Sequence, residues 1–315
     1  MSNLTNEITS LNLIARNILV FGGTSLFILG IIGNSINIVV FSSFSQFNKG
    51  STPIFLLFSF LGSQTTLLTG LLPQLIYTLS GTNPLVIDLI ICKLRWFIGP
   101  SSATIALHCF ILAAINQYLL TSRHIRCHHW ITRRRAFIMC LFVTIYSLGL
   151  FSSNFVYYTH TQNSINMTQC DIPNIIAATY NIYNGLVTYS LLSIFVLSIF
   201  SFLTWQNIRN KIVRRSQIEK ALTRLLLAQI IVVLLTSLGF VIQRMYTLYT
   251  RDIPKNALQI AQENVASSVF AIIGYIIHTF SFPTYFLNSK MFRNNILSSI
   301  LKRNHRIEPT IPPNT

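Results

Sequence analysis

Two histidines, His108 and His278, lie inside long apolar runs, where an imidazole could ligate a metal or relay a proton. Either chemistry needs partners, and the interior of these runs contains no carboxylate. A zinc hydrolase embedded in a membrane needs clustered His and Asp ligands, and no such cluster is present, so neither an enzyme nor a bound metal or other cofactor is expected. The two histidines are read as hydrogen-bonded packing residues. A second group stands where an apolar run gives way to a basic segment: Asn116-Gln117-Tyr118, followed by Arg123 to Arg135. This triplet carries no charge, so whatever it does it must do by hydrogen bonding.

The elements that position these residues are set by composition. Of 315 residues 51% are hydrophobic and 10% charged, with a mean hydropathy of +0.55; an ordinary soluble domain is less apolar. Seven runs, at roughly 18–43, 53–79, 90–121, 136–158, 180–206, 219–249 and 262–287, each reach the ~20 residues a helix needs to cross about 30 Å of hydrocarbon. Segments such as Phe27–Gly33 and Leu225–Leu235 are apolar on every side, which excludes the short alternating strands of a membrane barrel. The fold class is an all-α membrane protein, a seven-transmembrane-helix bundle. Residues 1–17 are polar and lack the order of a cleavable signal, so the first helix is expected to direct insertion.

The net charge of +16 would suit nucleic acid if it were spread evenly, but it is not. One set of connections holds Lys49, Arg123 to Arg135, Arg209 to Arg224 and the basic residues from Lys290 onward, opposed only by Glu219 and Glu308. In the other set, Arg16, Lys93, Arg95, Arg244, Arg251 and Lys255 nearly balance Glu7, Asp88, Asp171, Asp252 and Glu263. The basic face is therefore predicted to be cytoplasmic, against anionic lipid and an acidic protein partner, and the N-terminus extracellular. No nucleic-acid partner is expected. Both glycosylation triplets, Asn3-Leu-Thr5 and Asn166-Met-Thr168, fall on the predicted exterior. So do Cys92 and Cys170, and an oxidising exterior favours their pairing. Cys109, Cys127 and Cys140 lie in helices or on the cytoplasmic side and are expected to be reduced.

The connections leave no room for a second domain. The predicted organisation is an extracellular N-terminus (1–17), the bundle (18–287), a short amphipathic eighth helix (288–303) and a cytoplasmic tail (304–315). In the eighth helix, Phe292, Ile296 and Ile300 share one face among basic residues, which fits a helix lying on the inner leaflet. The connection at roughly 159–179 carries Cys170, and a disulfide to Cys92 would hold it across the outer mouth as a lid or rim.

These features together resemble the rhodopsin-like (class A) G-protein-coupled receptors, as a divergent member. Gly33-Asn34 is similar to the family's Gly-Asn pair, Cys92 precedes Gln117 by 25 residues as the family's outer cysteine precedes its central arginine, and Phe282-Pro283-Thr284-Tyr285-Phe286 followed by Phe292 resembles Asn-Pro-x-x-Tyr. The departures fall on the family's switches. Asp-Arg-Tyr reads Asn116-Gln117-Tyr118, the helix-two aspartate reads Gln64 by its spacing to Pro73, Cys-Trp-x-Pro reads Thr236-Ser237-Leu238-Gly239, and the helix-four tryptophan reads Tyr146.

The resemblance implies a ligand between the outer halves of the helices, with Gln74, Tyr77, Trp96, Gly99, Ala103, Phe240, Arg244 and Ser268 facing it, and a heterotrimeric G protein at the cytoplasmic face of the plasma membrane. Gly99 stands where amine receptors carry an aspartate, which points to a non-aminergic peptide or small molecule. Arg244 could pair with a ligand carboxylate or extend to the headgroups. With Gln64, Ala106 and Phe282 at the family's sodium positions, no sodium site is expected. The switch residues implied are Asn116, Gln117, Tyr118, Glu219, Gly239, Pro283 and Phe286. Gln117 could donate to Glu219 in place of the family's ion pair, or Glu219 could cap its helix and meet Arg215. Gly239, in the slot of the helix-six proline, either softens a hinge or allows close packing. The missing arginine predicts either raised basal signalling or none, and Gln117→Arg separates the two. Alternatives to a receptor are a non-signalling seven-helix binding or scaffold protein, then a transporter, for which neither paired half-repeats nor a midplane charge is present.

Overall fold

A computed structural model describes residues 2–43, 50–122, 128, 130–162, 168–209, 217–250, 253–288 and 292–294, with side chains over the same residues except 2, 217–222, 224, 225 and 288. Seven long helices run through it: α1 (Asn3–Ser43), α2 (Thr52–Ser80), α3 (Leu89–Thr121), α4 (Arg133–Tyr157), α5 (Ile175–Arg209), α6 (Gln217–Tyr249) and α7 (Ala257–Thr279). Each carries a stretch long and apolar enough to cross a bilayer. Their starts are read locally: Asp88, Thr132 and Asn174 accept the first free N–H groups of α3, α4 and α5. Asn256 and Gln259 form a reciprocal capping box on α7. Gly81, at φ 74°, ends α2 in the left-handed conformation that favours glycine.

Three helices contain a wider π turn, at Ile18–Gly23, Leu67–Leu71 and Gly185–Leu191, and each shifts the facing register beyond it. Prolines mark the other irregularities. Pro100 inside α3 has no N–H to give the Trp96 carbonyl, and Asn154 Nδ2 from α4 donates to that carbonyl at 2.8 Å. Pro283 cannot bond to Thr279, and the chain breaks at Phe280 before resuming as α8 (Ser281–Asn288).

The polar segment 2–17 is helical rather than a loose tail and continues into the first span. It is tied down at both faces. Ala15 is buried, Arg16 Nε donates to the Thr78 carbonyl and Asn264 Nδ2 to Asn12 Oδ1. The connection after α4 holds a two-stranded antiparallel hairpin, β1 (Thr159–Gln162) and β2 (Thr168–Asp171), with His160 opposite Cys170; sequence periodicity over so few residues had no strand signal.

α3 is the central helix and packs against α2, α4 and α5. Phe55, Phe60, Leu107, Phe110, Leu197, Leu226 and Tyr285 share the main buried cluster. Gly62 sets how close α2 and α3 come, since a Cβ there would stand 2.8 Å from the Ser102 carbonyl oxygen. Large apolar side chains such as Phe142, Ile145, Phe195 and Leu235 point outward, a surface that hydrocarbon solvates and water does not. The chain is a multi-pass membrane protein built as a seven-helix bundle. Of the predicted amphipathic segment, Phe292 is fully buried against Tyr285 and Phe41, while Ile296 and Ile300 lie outside the described residues.

Candidate ligand cavity and switch region

The disulfide between Cys92 and Cys170 joins the start of α3 to β2, with the Cα atoms 5.9 Å apart. Cys92, Tyr158 and Ile172 bury one another beneath it, and Trp96 stacks on Tyr158 at 4.8 Å. His160 Nε2 reaches the Leu85 carbonyl at 2.9 Å. The hairpin is thereby fixed over that end of the bundle.

Below it, between α2, α3, α5, α6 and α7, lies a cavity of about 510 Å³, a size that suits a small molecule. Of the eight residues expected to face a ligand, Gln74, Tyr77, Trp96, Gly99, Ala103, Phe240 and Arg244 line it. Ser268 does not. Its hydroxyl donates back to the Asn264 carbonyl, and Ser267 lines the cavity instead, because one residue along a helix turns the side chain by about 100°.

The lining includes a residue that sequence spacing missed. Arg95 was counted as a charge at the outer end of a span, yet it faces inward: its Nη2 donates to the Gly70 carbonyl at 3.3 Å and its guanidinium lies over the Trp96 ring. Arg244 lies over the Phe240 ring at 4.8 Å. An arginine one residue before a pocket tryptophan, within an apolar run, was the available signal.

The cavity floor is polar. His278 lines it, with Nδ1 at 3.2 Å from Ser63 Oγ and Nε2 at 3.2 Å from the Tyr189 hydroxyl. Asn34 Nδ2 donates to the His278 carbonyl, Ser281 Oγ donates to Asn34 Oδ1, and Asn37 Nδ2 donates to Ser281 Oγ. These contacts tie α1, α2, α5, α7 and α8 together. They also correct one register. Ser63, rather than Gln64, faces this centre, because the π turn at Leu67–Leu71 adds a residue between it and Pro73. The second histidine, His108, bonds the Thr188 carbonyl at 3.1 Å and stacks on Tyr146.

At the opposite end of α3, Asn116 and Gln117 are buried. Asn116 Nδ2 and Gln117 Nε2 both donate to Thr52 Oγ1 of α2, at 2.8 and 3.1 Å. Gln117 Oε1 accepts from Thr223 Oγ1 of α6 at 3.0 Å. Tyr118 packs edge-on against Phe200. Three helices are thus clasped by neutral groups. The Glu219 side chain lies outside the described residues. A Cβ on Gly239 would stand 3.3 Å from Ile273, so this glycine permits close approach of α6 and α7. Phe282 and Phe286 pack together at 5.7 Å.

A profile described as the seven-transmembrane receptor of the rhodopsin family matches residues 33–281, about four-fifths of the chain. The chain belongs to the rhodopsin family of seven-transmembrane receptors. Comparison with curated proteins gives no match.

In this receptor the residues expected at the family's landmarks occupy coherent places. Gly33 lies against Phe282, where a Cβ would stand 2.7 Å away, and Asn34 is the buried link to α7 just described. Among the described residues Cys109 and Cys140 are free and buried; Cys127 lies outside them. Of the two glycosylation triplets, Asn3 is exposed at the start of α1, and Asn166 lies outside the described residues.

Proposed function

We propose that the receptor lies in the plasma membrane with its disulfide end outside, binds a non-aminergic extracellular ligand in the cavity, and signals through a heterotrimeric G protein at the opposite face. The observation that carries this reading is the cavity on the disulfide side, whose lining contains no Asp or Glu to hold an amine. Its polar floor, from His278 through Ser63, Asn34 and Ser281, is a continuous set of hydrogen bonds into the middle of the bundle. The basic residues predicted to face the cytoplasm supply the field for an acidic partner.

The Gln117 clasp supports a resting state held by neutral hydrogen bonds. Each such bond contributes about 1 kcal/mol, so the resting state is expected to be shallow and basal output measurable. The test is G-protein dissociation in cells expressing the full chain, across the main Gα classes, with surface expression measured in parallel. Dissociation above that of untransfected cells supports signalling, and Gln117→Arg, which gives up the Thr223 bond but restores the charge that the family pairs with an acid at the Glu219 position, is expected to lower it. If neither the wild type nor Gln117→Arg moves any Gα class at full surface expression, the chain is a non-signalling seven-helix binding protein.

A further inference from the structure

Two guanidinium groups enter the cavity, and its lining offers no carboxylate to either. Among the described residues the ion pair present is Lys255 with Glu263. Arg95 is held by the Gly70 carbonyl, the Tyr275 hydroxyl and the Trp96 ring. Arg244 is held by the Phe240 ring, and its Nε is shut off from solvent without a hydrogen-bond partner. Both arginines line this cavity, and the Tyr158 phenol lies within electrostatic reach of Asp171 as well as of Arg244 and Arg95.

Rings and a carbonyl solvate a guanidinium poorly compared with water. A cation removed from water without an anion is costly. Arg244 is not extended toward headgroups, since it lines the cavity and its Nε is out of solvent. A planar guanidinium offers five N–H donors that match the oxygens of a carboxylate or phosphate.

We propose that the cavity takes an organic anion, with its carboxylate or phosphate on the guanidinium groups that line it, Arg244 and Arg95, and an apolar body against Trp96, Phe240 and Tyr275. This rests on the cavity being the ligand site and adds the ligand's chemical class. Two guanidinium groups lining one cavity favour a ligand with two negative charges over one. The anion could come from solution or from the headgroup of a bilayer lipid entering between helices.

The experiment uses the full chain in nanodiscs of phosphatidylcholine and isothermal titration calorimetry with four probes of similar shape: phenylsuccinate, 4-phenylbutyrate, 4-phenylbutanol and 4-phenylbutylamine. Phenylsuccinate is expected to bind at least about tenfold more tightly than the alcohol, with 4-phenylbutyrate between them and the amine weakest. Arg95→Gln and Arg244→Gln should each lower the ratio of phenylsuccinate to alcohol affinity several-fold. Arg244→Lys, which keeps the charge, should retain part of the preference, which separates lost charge from disturbed folding. Anionic phosphatidylglycerol in the nanodisc decides the source: blocked phenylsuccinate binding identifies a lipid headgroup as the occupant, and unaltered binding identifies a soluble anion. The proposal is overturned if the alcohol or the amine binds as tightly as the dicarboxylate, or if the preference survives in both Gln variants. If none of the four probes binds, the cavity reading falls with it, whereas equal binding of all four removes the anion alone.

Discussion

Gln117 has a donor end and an acceptor end, and both are engaged, toward Thr52 of α2 and Thr223 of α6. An arginine could donate to Thr52 but could not accept from Thr223, because it has no acceptor. The α6 partner of the triplet is therefore a hydroxyl rather than an acid. Thr223→Val keeps the side-chain shape and removes the donor. Losing about 1 kcal/mol from the resting state corresponds to a roughly five-fold shift of a two-state equilibrium, so basal G-protein dissociation is expected to rise several-fold. Unchanged basal output in Thr223→Val would show that the clasp does not hold the resting state. Asn154 supplies the other residue-scale test. Its amide covers the carbonyl that Pro100 leaves open, and Asn154→Ala should cost about 1–3 kcal/mol, read as a lower melting temperature of the purified chain. Asn154→Ala with an additional Pro100→Ala, which restores the N–H for Trp96, should recover part of that loss.

At the scale of elements, irregular turns decide which side chains meet. The π turn in α2 brings Ser63 to His278, and the break before α8 at Pro283 places Phe282 against Gly33. Spacing counted on a regular helix assigns Gln64 to the centre; one extra residue in a turn is enough to change the answer. The packing of α2 on α3 depends on the absence of a side chain at Gly62, where a Cβ would meet the backbone at Ser102 and Ala106. Backbone cannot move aside as the tip of a flexible side chain can. Gly62→Val is therefore expected to separate the two helices and cost about 1–3 kcal/mol, measured as lost thermal stability and lower surface expression. The same substitution at Gly149, which has open space around it, should leave packing intact and serves as the comparison.

For the whole molecule, orientation and ion response are the properties to measure. The skew of Lys and Arg toward one set of connections predicts a cytoplasmic C-terminus and an extracellular N-terminus. An antibody to an N-terminal tag should stain intact cells, and one to a C-terminal tag only permeabilised cells; the reverse pattern would invert the assignment of the cavity to the exterior. The buried centre around His278 and Asn34 is made of amides, hydroxyls and an imidazole. Neutral groups compensate a desolvated cation poorly, so exchanging sodium for an equimolar large organic cation should leave basal signalling and probe binding unchanged. A sodium-dependent shift in either would require an anionic ligand at that centre.

The seven spans, the family and the Cys92–Cys170 pairing were legible in the sequence, because each rests on a long-range average or on a compartment: twenty apolar residues in a row, charge summed over loops, two cysteines on one side. Seven of the eight residues expected to face a ligand line the cavity, Gln74 and Tyr77 of α2, Trp96, Gly99 and Ala103 of α3, and Phe240 and Arg244 of α6. What spacing could not yield were the partners. Thr223 opposite Gln117, Ser63 opposite His278 and Asn154 on the Trp96 carbonyl depend on helix rotation and on π turns, and no local pattern encodes them. A helix rotates by about 100° per residue, so a single inserted residue leaves hydropathy almost unchanged while redirecting every side chain beyond it. Only the packed bundle decides which of those directions meets a partner.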